Sequence, residues 1–172
     1  STIDKLAPKS PGQMGSSAID TLGPMFKREL EDLIEFIEGQ LKFEIIKEVK
    51  SLKIFNESDL QCSFHRHLNT CLTSKSKNWL IKNSPKLYDL RSPDILIYFD
   101  EIPIVLFELK CKIWAGSKHF PENNKGELKD DKRKIVRFKR KYKTIQRAYI
   151  FAVFDAYHED IHSFQRDTDR HY

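Results

Sequence analysis

A chain of 172 residues, 40% hydrophobic and 32% charged, has the composition of a soluble globular protein and suits one domain with a real core. No apolar run approaches the roughly 20 residues that span a bilayer, and the first residues lack the charged-then-apolar order of a secretory signal. Three cysteines, Cys62, Cys71 and Cys111, are odd in number and lack C-x-x-C spacing. They favour reduced thiols in a cytoplasmic setting over a disulfide scaffold or zinc site, with Cys111 in the core.

Residues 1–24 hold Pro8, Pro11, Gly12, Gly15, Ser16, Ser17, Gly23 and Pro24, the composition of a flexible arm or linker, and a single domain is expected over 25–172. From Met25 onward Phe26, Leu30, Leu33, Ile34, Ile37, Leu41 and Phe43 recur at helical spacing, predicting an amphipathic helix with a core or dimer face. Asn56 is placed to cap a second helix that carries Glu57 in its first turn and Leu60, Phe64, Leu68 and Cys71 as its buried stripe. Residues 73–92 read as a loop and a short strand. His65 and His67, flanking Arg66 on the second helix, suit a surface or groove role better than metal ligation.

Residues 94–99 and 103–111 are rich in Ile, Val, Leu, Phe and Tyr, and the Asp100-Glu101-Ile102-Pro103 break between them predicts a β-hairpin. With Glu101 at the turn centre, residue 94 faces residue 108, and side chains two apart on a strand share a side. Asp94, Glu108 and Lys110 therefore converge on one face. The other face carries Ile95, Ile97, Phe99, Val105, Phe107, Leu109 and Cys111 for a core to cover. Residues 115–127, with Gly116, Pro121, Asn123, Asn124 and Gly126, read as a loop able to close over a substrate. Between Lys129 and Lys143, nine of fifteen residues are Lys or Arg with Ile135, Val136, Phe138 and Tyr142 interleaved, which predicts a helix with a phosphate-facing side. An apolar strand follows at 148–154. The His158-Glu159-Asp160-Ile161-His162 sequence is formally H-E-x-x-H, but it lies in a polar tail instead of a buried helix, and position 168 is Thr where a third ligand is needed. That context argues against a zinc protease.

Two carboxylates and an amine set into an apolar sheet are costly unless their charge is compensated. A hard divalent cation does this, and Mg²⁺ is typically held by one or two carboxylates beside a substrate phosphate. A neighbouring lysine can orient or deprotonate an attacking water, or stabilise charge on phosphorus oxygens. The arrangement is that of a phosphodiester-hydrolysing site.

Pro93-Asp94, thirteen intervening residues and Glu108-Leu109-Lys110 together resemble the PD-(D/E)xK nuclease superfamily, the restriction-endonuclease-like fold. The resemblance covers about residues 55–156. It implies an α/β domain with a central mixed sheet flanked by helices, preceded here by an N-terminal helical extension. It also implies a metal site of Asp94, Glu108 and the Leu109 carbonyl, holding one or two Mg²⁺ or Mn²⁺ ions, and completed by an acid on the preceding helix. Glu57 is that acid, with Asp59 as competitor. Lys110 would position the water. Many members follow the E-x-K strand with a helix that begins with Asp and carries Lys, then an apolar strand; Asp131-Lys132-Arg133-Lys134-Ile135 and 148–155 look like that pair. Lys132, Arg133, Lys134, Arg137, Arg140, Lys141 and Arg147 are the expected nucleic-acid contacts, Lys134 the best placed to reach the scissile region. DNA is the favoured substrate, with RNA or an inactive nucleic-acid-binding module as alternatives. A homodimer is expected for double-strand cutting.

Overall fold

Gly23, with φ +83°, and Pro24 open the first long helix of the computed structural model, which describes residues 17–87, 90–112, 120–154 and 163–166. Proline suits a first turn because its missing N–H would have no helical partner there. A short helix α1 (Ser17–Asp20) precedes it, and Ile19 and Leu22 pack on the core, so order begins before Met25. Helix α2 (Gly23–Phe36) runs through a π segment (Ile37–Leu41) into α3 (Lys42–Lys50). Leu33, Ile37, Leu41, Ile45 and Val49 are all buried at a strict four-residue interval. On an ideal α-helix such a repeat drifts about 40° per step. The wider π turn absorbs part of that drift and keeps the stripe on the core. Phe43, expected in the stripe, falls midway between Leu41 and Ile45 and is 69% exposed.

Helix α4 (Glu57–Thr73) is capped as its sequence predicts. The Asn56 side chain accepts from the Asp59 N–H at 2.9 Å, and the Asp59 carboxylate accepts from the Phe55 N–H at 3.0 Å. Leu60, Ser63, Phe64, Leu68 and Leu72 are buried, Leu72 replacing the expected Cys71, which is half-buried.

The sheet has the order β1 (Trp79–Asn83), β2 (Ile95–Phe99), β3 (Ile102–Lys112), β4 (Arg147–Phe154), β5 (Ser163–Arg166). Only the β3–β4 pair is parallel. A parallel pair needs a crossover, and helix α5 (Phe120–Lys141) supplies it. The result is an α/β fold with a central mixed sheet flanked by helices. On one face α2, α3 and α4 cover Ile95, Ile97, Phe99, Val105, Phe107, Leu109 and Cys111, with Tyr149 and Phe151 of β4. On the other, Ile135 and Phe138 of α5, with Tyr142 just past its end, cover Leu96, Leu106, Ala148 and Ile150. Among the described residues no helix is long and apolar enough to cross a membrane.

Ile95 faces Phe107 and Ile97 faces Val105, the register expected for a turn centred on Glu101. A shift between Ile97 and Tyr98 then pairs Phe99 with Ile102. The turn is therefore only Asp100-Glu101, both left-handed at φ +48° and +66°, and β3 begins before Pro103. Paired positive φ is the hallmark of a type I′ hairpin turn, here built without glycine. The expected loop 115–127 is shorter than its composition suggests, since α5 starts at Phe120; residues 113–119 and the H-E-x-x-H sequence at 158–162 lie outside the described residues.

Relieving the left-handed strain by Glu101→Gly is expected to raise stability by about 1 kcal/mol in urea unfolding. Phe64 is fully buried, packed edge-on to Phe107 and Phe151, and Phe64→Ala is expected to cost about 3–5 kcal/mol by the same measurement. Phe43→Ser should stay within about 0.5 kcal/mol.

Candidate active site

Strand β3 outruns its hairpin partner. Pairing with β2 ends at Ile95 opposite Phe107, whereas β3 continues to Lys112 with only β4 beside it, Glu108 facing Ile150 and Lys110 facing Ala152. The Leu109 N–H on the open side would lack an acceptor. Asp94, the residue before β2, fills that gap: its Oδ2 accepts from the Leu109 N–H at 2.6 Å. The Asp94 main chain is held in turn. Its N–H donates to the Phe107 carbonyl at 3.2 Å, and its carbonyl accepts from the Ser84 N–H at 2.8 Å and from Gln61 Nε2 at 2.6 Å. Amide and carbonyl of one strand residue point to the same edge, so the Leu109 carbonyl also faces the Asp94 side.

Side chains 106, 108 and 110 of β3 point to the α5 face. Glu108 is 2% exposed; its Oε2 accepts from Lys134 Nζ at 2.9 Å, while Oε1 is buried with no hydrogen-bond partner. Burial, reinforced by the nearby Asp94 carboxylate and only partly offset by Lys134, pushes the Glu108 carboxyl up to about 8. Lys110 Nζ lies 3.7 Å from Asp131 Oδ2 and 4.0 Å from Glu57 Oε2. Burial alone would lower the Lys110 ammonium, but Asp131, Glu57, Asp94 and Glu127 outweigh it and hold it above the ordinary lysine value. Glu57 and Asp131 are raised, each chiefly by burial, with Lys110 pulling the other way. Lys112 pairs with Glu127 at 2.6 Å. Five carboxylates thus share the cluster with three ammonium groups, an excess of two negative charges when all are ionised.

The structure brings together Asp94, Glu108, Lys110 and Glu57, and it separates the two acids of α4. Asp59 is turned back into the cap, leaving Glu57 to face Lys110. Lys134 enters the site itself. Lys132, Arg133, Arg137 and Arg140 are exposed on α5, Arg133 paired with Asp130 at 3.1 Å, and Lys141 is half-buried. Arg147 does not join them. It stands opposite Val105 on the α2–α4 side of the sheet, about 10 Å along the strand from Ile150, the partner of Glu108.

Asp131 does not open its helix; it lies in the middle of α5, buried at 8% exposure. Sequence reasoning assigned it no role in the site and also passed over Glu127, Lys112 and Gln61, yet most of the signal was there. Positions 127, 131 and 134 precede 131, 135 and 138 by four, so they continue the inward stripe of α5 toward the sheet's open end, and Gln61 is one turn beyond Glu57.

Among the described residues no group of three or more His, Cys, Asp or Glu side chains is arranged to hold a metal ion. What the site offers is two hard carboxylates, Asp94 and Glu108, an orphaned buried oxygen on Glu108 and a twofold negative excess. This donor set fits Mg²⁺ or Mn²⁺. No protein-family model, curated protein or solved structure matches the chain.

The Glu108 carboxyl is raised from 4.5 to about 8 by folding, so it weakens the fold as pH rises through that interval, fully above 8 and not at all below 4.5. A tenfold change in ionisation is worth about 1.4 kcal/mol. Glu108→Gln, measured by urea unfolding in chelator, is therefore expected to gain a few kcal/mol at pH 9 and almost nothing at pH 4.

Proposed function

We propose that this chain is a metal-dependent nuclease of PD-(D/E)xK type, hydrolysing phosphodiester bonds, with DNA as the favoured substrate. The observation that carries the reading is the convergence of Asp94, Glu108 and Lys110 where β3 outruns β2, with Glu57 reaching in from α4 and the basic face of α5 alongside. The order of the parts adds support: a helix bearing the acid, a hairpin bearing D and E-x-K, a helix bearing Asp131 and Lys134, then an apolar strand.

Asp94, Glu108 and the Leu109 carbonyl would hold the cation, assisted by Glu57. When bound, Mg²⁺ or Mn²⁺ supplies Lewis-acid neutralisation of phosphate charge and acidifies water. The chain's own residues do the rest. The carboxylates around Lys110 keep it protonated, so it serves as a hydrogen-bond donor that orients water or steadies charge on a phosphorus oxygen, rather than as a base. Glu57 and Asp131 hold its ammonium between them. Exposed Lys132, Arg133, Arg137 and Arg140 suit the phosphodiester backbone, an affinity that needs no base contacts. Cys62, Cys71 and Cys111 form no disulfide, which fits a cytoplasmic protein, and cutting both strands of a duplex calls for two copies.

The test is cleavage of supercoiled plasmid, linear duplex, single-stranded DNA and RNA with Mg²⁺, Mn²⁺ or chelator. Metal-dependent cutting is expected, with Asp94→Asn and Lys110→Ala each losing at least about 10²-fold. Binding without cutting under any metal would replace the nuclease by a binding module, and cutting of RNA alone would move the substrate. Changing Lys132, Arg133 and Arg137 together to Gln is expected to weaken duplex binding and to flatten its log–log dependence on salt by about 3.

A further inference from the structure

Glu108 is the deepest charge in the site, and its counter-charge is borrowed. The ammonium of Lys134 comes from a different element, α5, at the end of a flexible four-carbon stem, and it meets only one of the two carboxylate oxygens. A buried carboxylate needs such a partner as long as nothing else neutralises it. The same carboxylate is the one best placed to ligate a cation. A cation ligated by Glu108 and the Lys134 ammonium would stand close together on one carboxylate, and the two positive charges repel each other. Lys134 has somewhere to go: its side chain is already 21% exposed, and Arg137, one turn on, is exposed on the same helix.

We propose that Lys134 is an internal counter-ion which a divalent cation displaces from Glu108, freeing its ammonium to take a substrate phosphate. The exchange rests on the nuclease reading of the site and adds to it a coupling: the metal loads the site and, in the same event, arms the lysine that grips the substrate. In the metal-free protein the pair keeps Glu108 compensated and Lys134 withheld. With the cation in place, one positive charge is handed outward as two arrive.

The experiment measures the reactivity of the Lys134 amine in the full chain, without nucleic acid, by pulsed acetylation with an N-hydroxysuccinimide ester and peptide mass spectrometry. Mg²⁺ binding is followed in parallel by titration calorimetry. In the wild-type protein Lys134 is expected to label slowly in chelator and severalfold faster once Mg²⁺ saturates the site. In Glu108→Gln it is expected to label fast with or without Mg²⁺. If Mg²⁺ binds and the wild-type Lys134 rate does not change, the exchange is overturned while the nuclease reading stands. If Glu108→Gln labels as slowly as the wild type in chelator, Glu108 is not what shields the lysine and the exchange is again overturned. Absence of any saturable Mg²⁺ binding removes both readings together.

Discussion

The hydrogen bond from the Leu109 N–H to the Asp94 carboxylate is the joint on which the site turns. It exists because β3 is longer than the strand it pairs with, so one backbone donor at the sheet's open side needs an acceptor, and an unmet buried donor costs free energy. A side chain meets that need where a strand would otherwise have done so. The same bond fixes a carboxylate next to Glu108 and leaves the carbonyl edge of Leu109 unpaired by β2. Backbone accounting and the assembly of a charged site are here one event.

Around this joint the protein gathers charge that its own interior does not welcome. Glu108 lies beneath α5 with one oxygen lacking a hydrogen bond, Asp131 is buried with its Oδ2 in ion-pair range of Lys110, and Lys110 is held between carboxylates on α4 and α5. Neutral, well-packed side chains would make a more stable sheet here. The surroundings show that the fold can supply them: Leu96, Leu106, Ala148 and Ile150 line the same face under Ile135, Phe138 and Tyr142. The apolar part of α5 seats the helix and the polar part reaches the site, so the positions of Asp131 and Lys134 follow from how Ile135 and Phe138 pack.

Much of this was legible in the chain. Alternation placed Asp94, Glu108 and Lys110 on one face because the hairpin's far end keeps a simple register about Glu101. It could not place the turn, because Leu96, Ile97 and Val105 are all buried and a strand covered on both faces gives no polar marker of a one-residue shift. The cap at Asn56 was readable because it depends on neighbours three residues apart. Arg147 was misplaced for the opposite reason: charge near a basic run drew it into the group, although its face is decided by pairing with Val105, forty-two positions earlier. Phe43, two residues and about 200° round an α-helix from Leu41, never shared the buried stripe, which steps by four through a helix that departs from ideal geometry.

That departure from ideality is the trace of surplus length. A π turn holds more chain than an α turn, and the one at Ile37–Leu41 also carries Glu38, whose carboxylate accepts from the hydroxyl of buried Tyr149 at 2.9 Å. Tyr149 lies on β4, the strand that flanks β3 along its unpaired stretch. A shorter version of the helix would swing Ile45 and Val49 off the core and withdraw the tether from β4. The N-terminal helices therefore act as a splint on the back of the sheet, and their length is set by the span they must bridge.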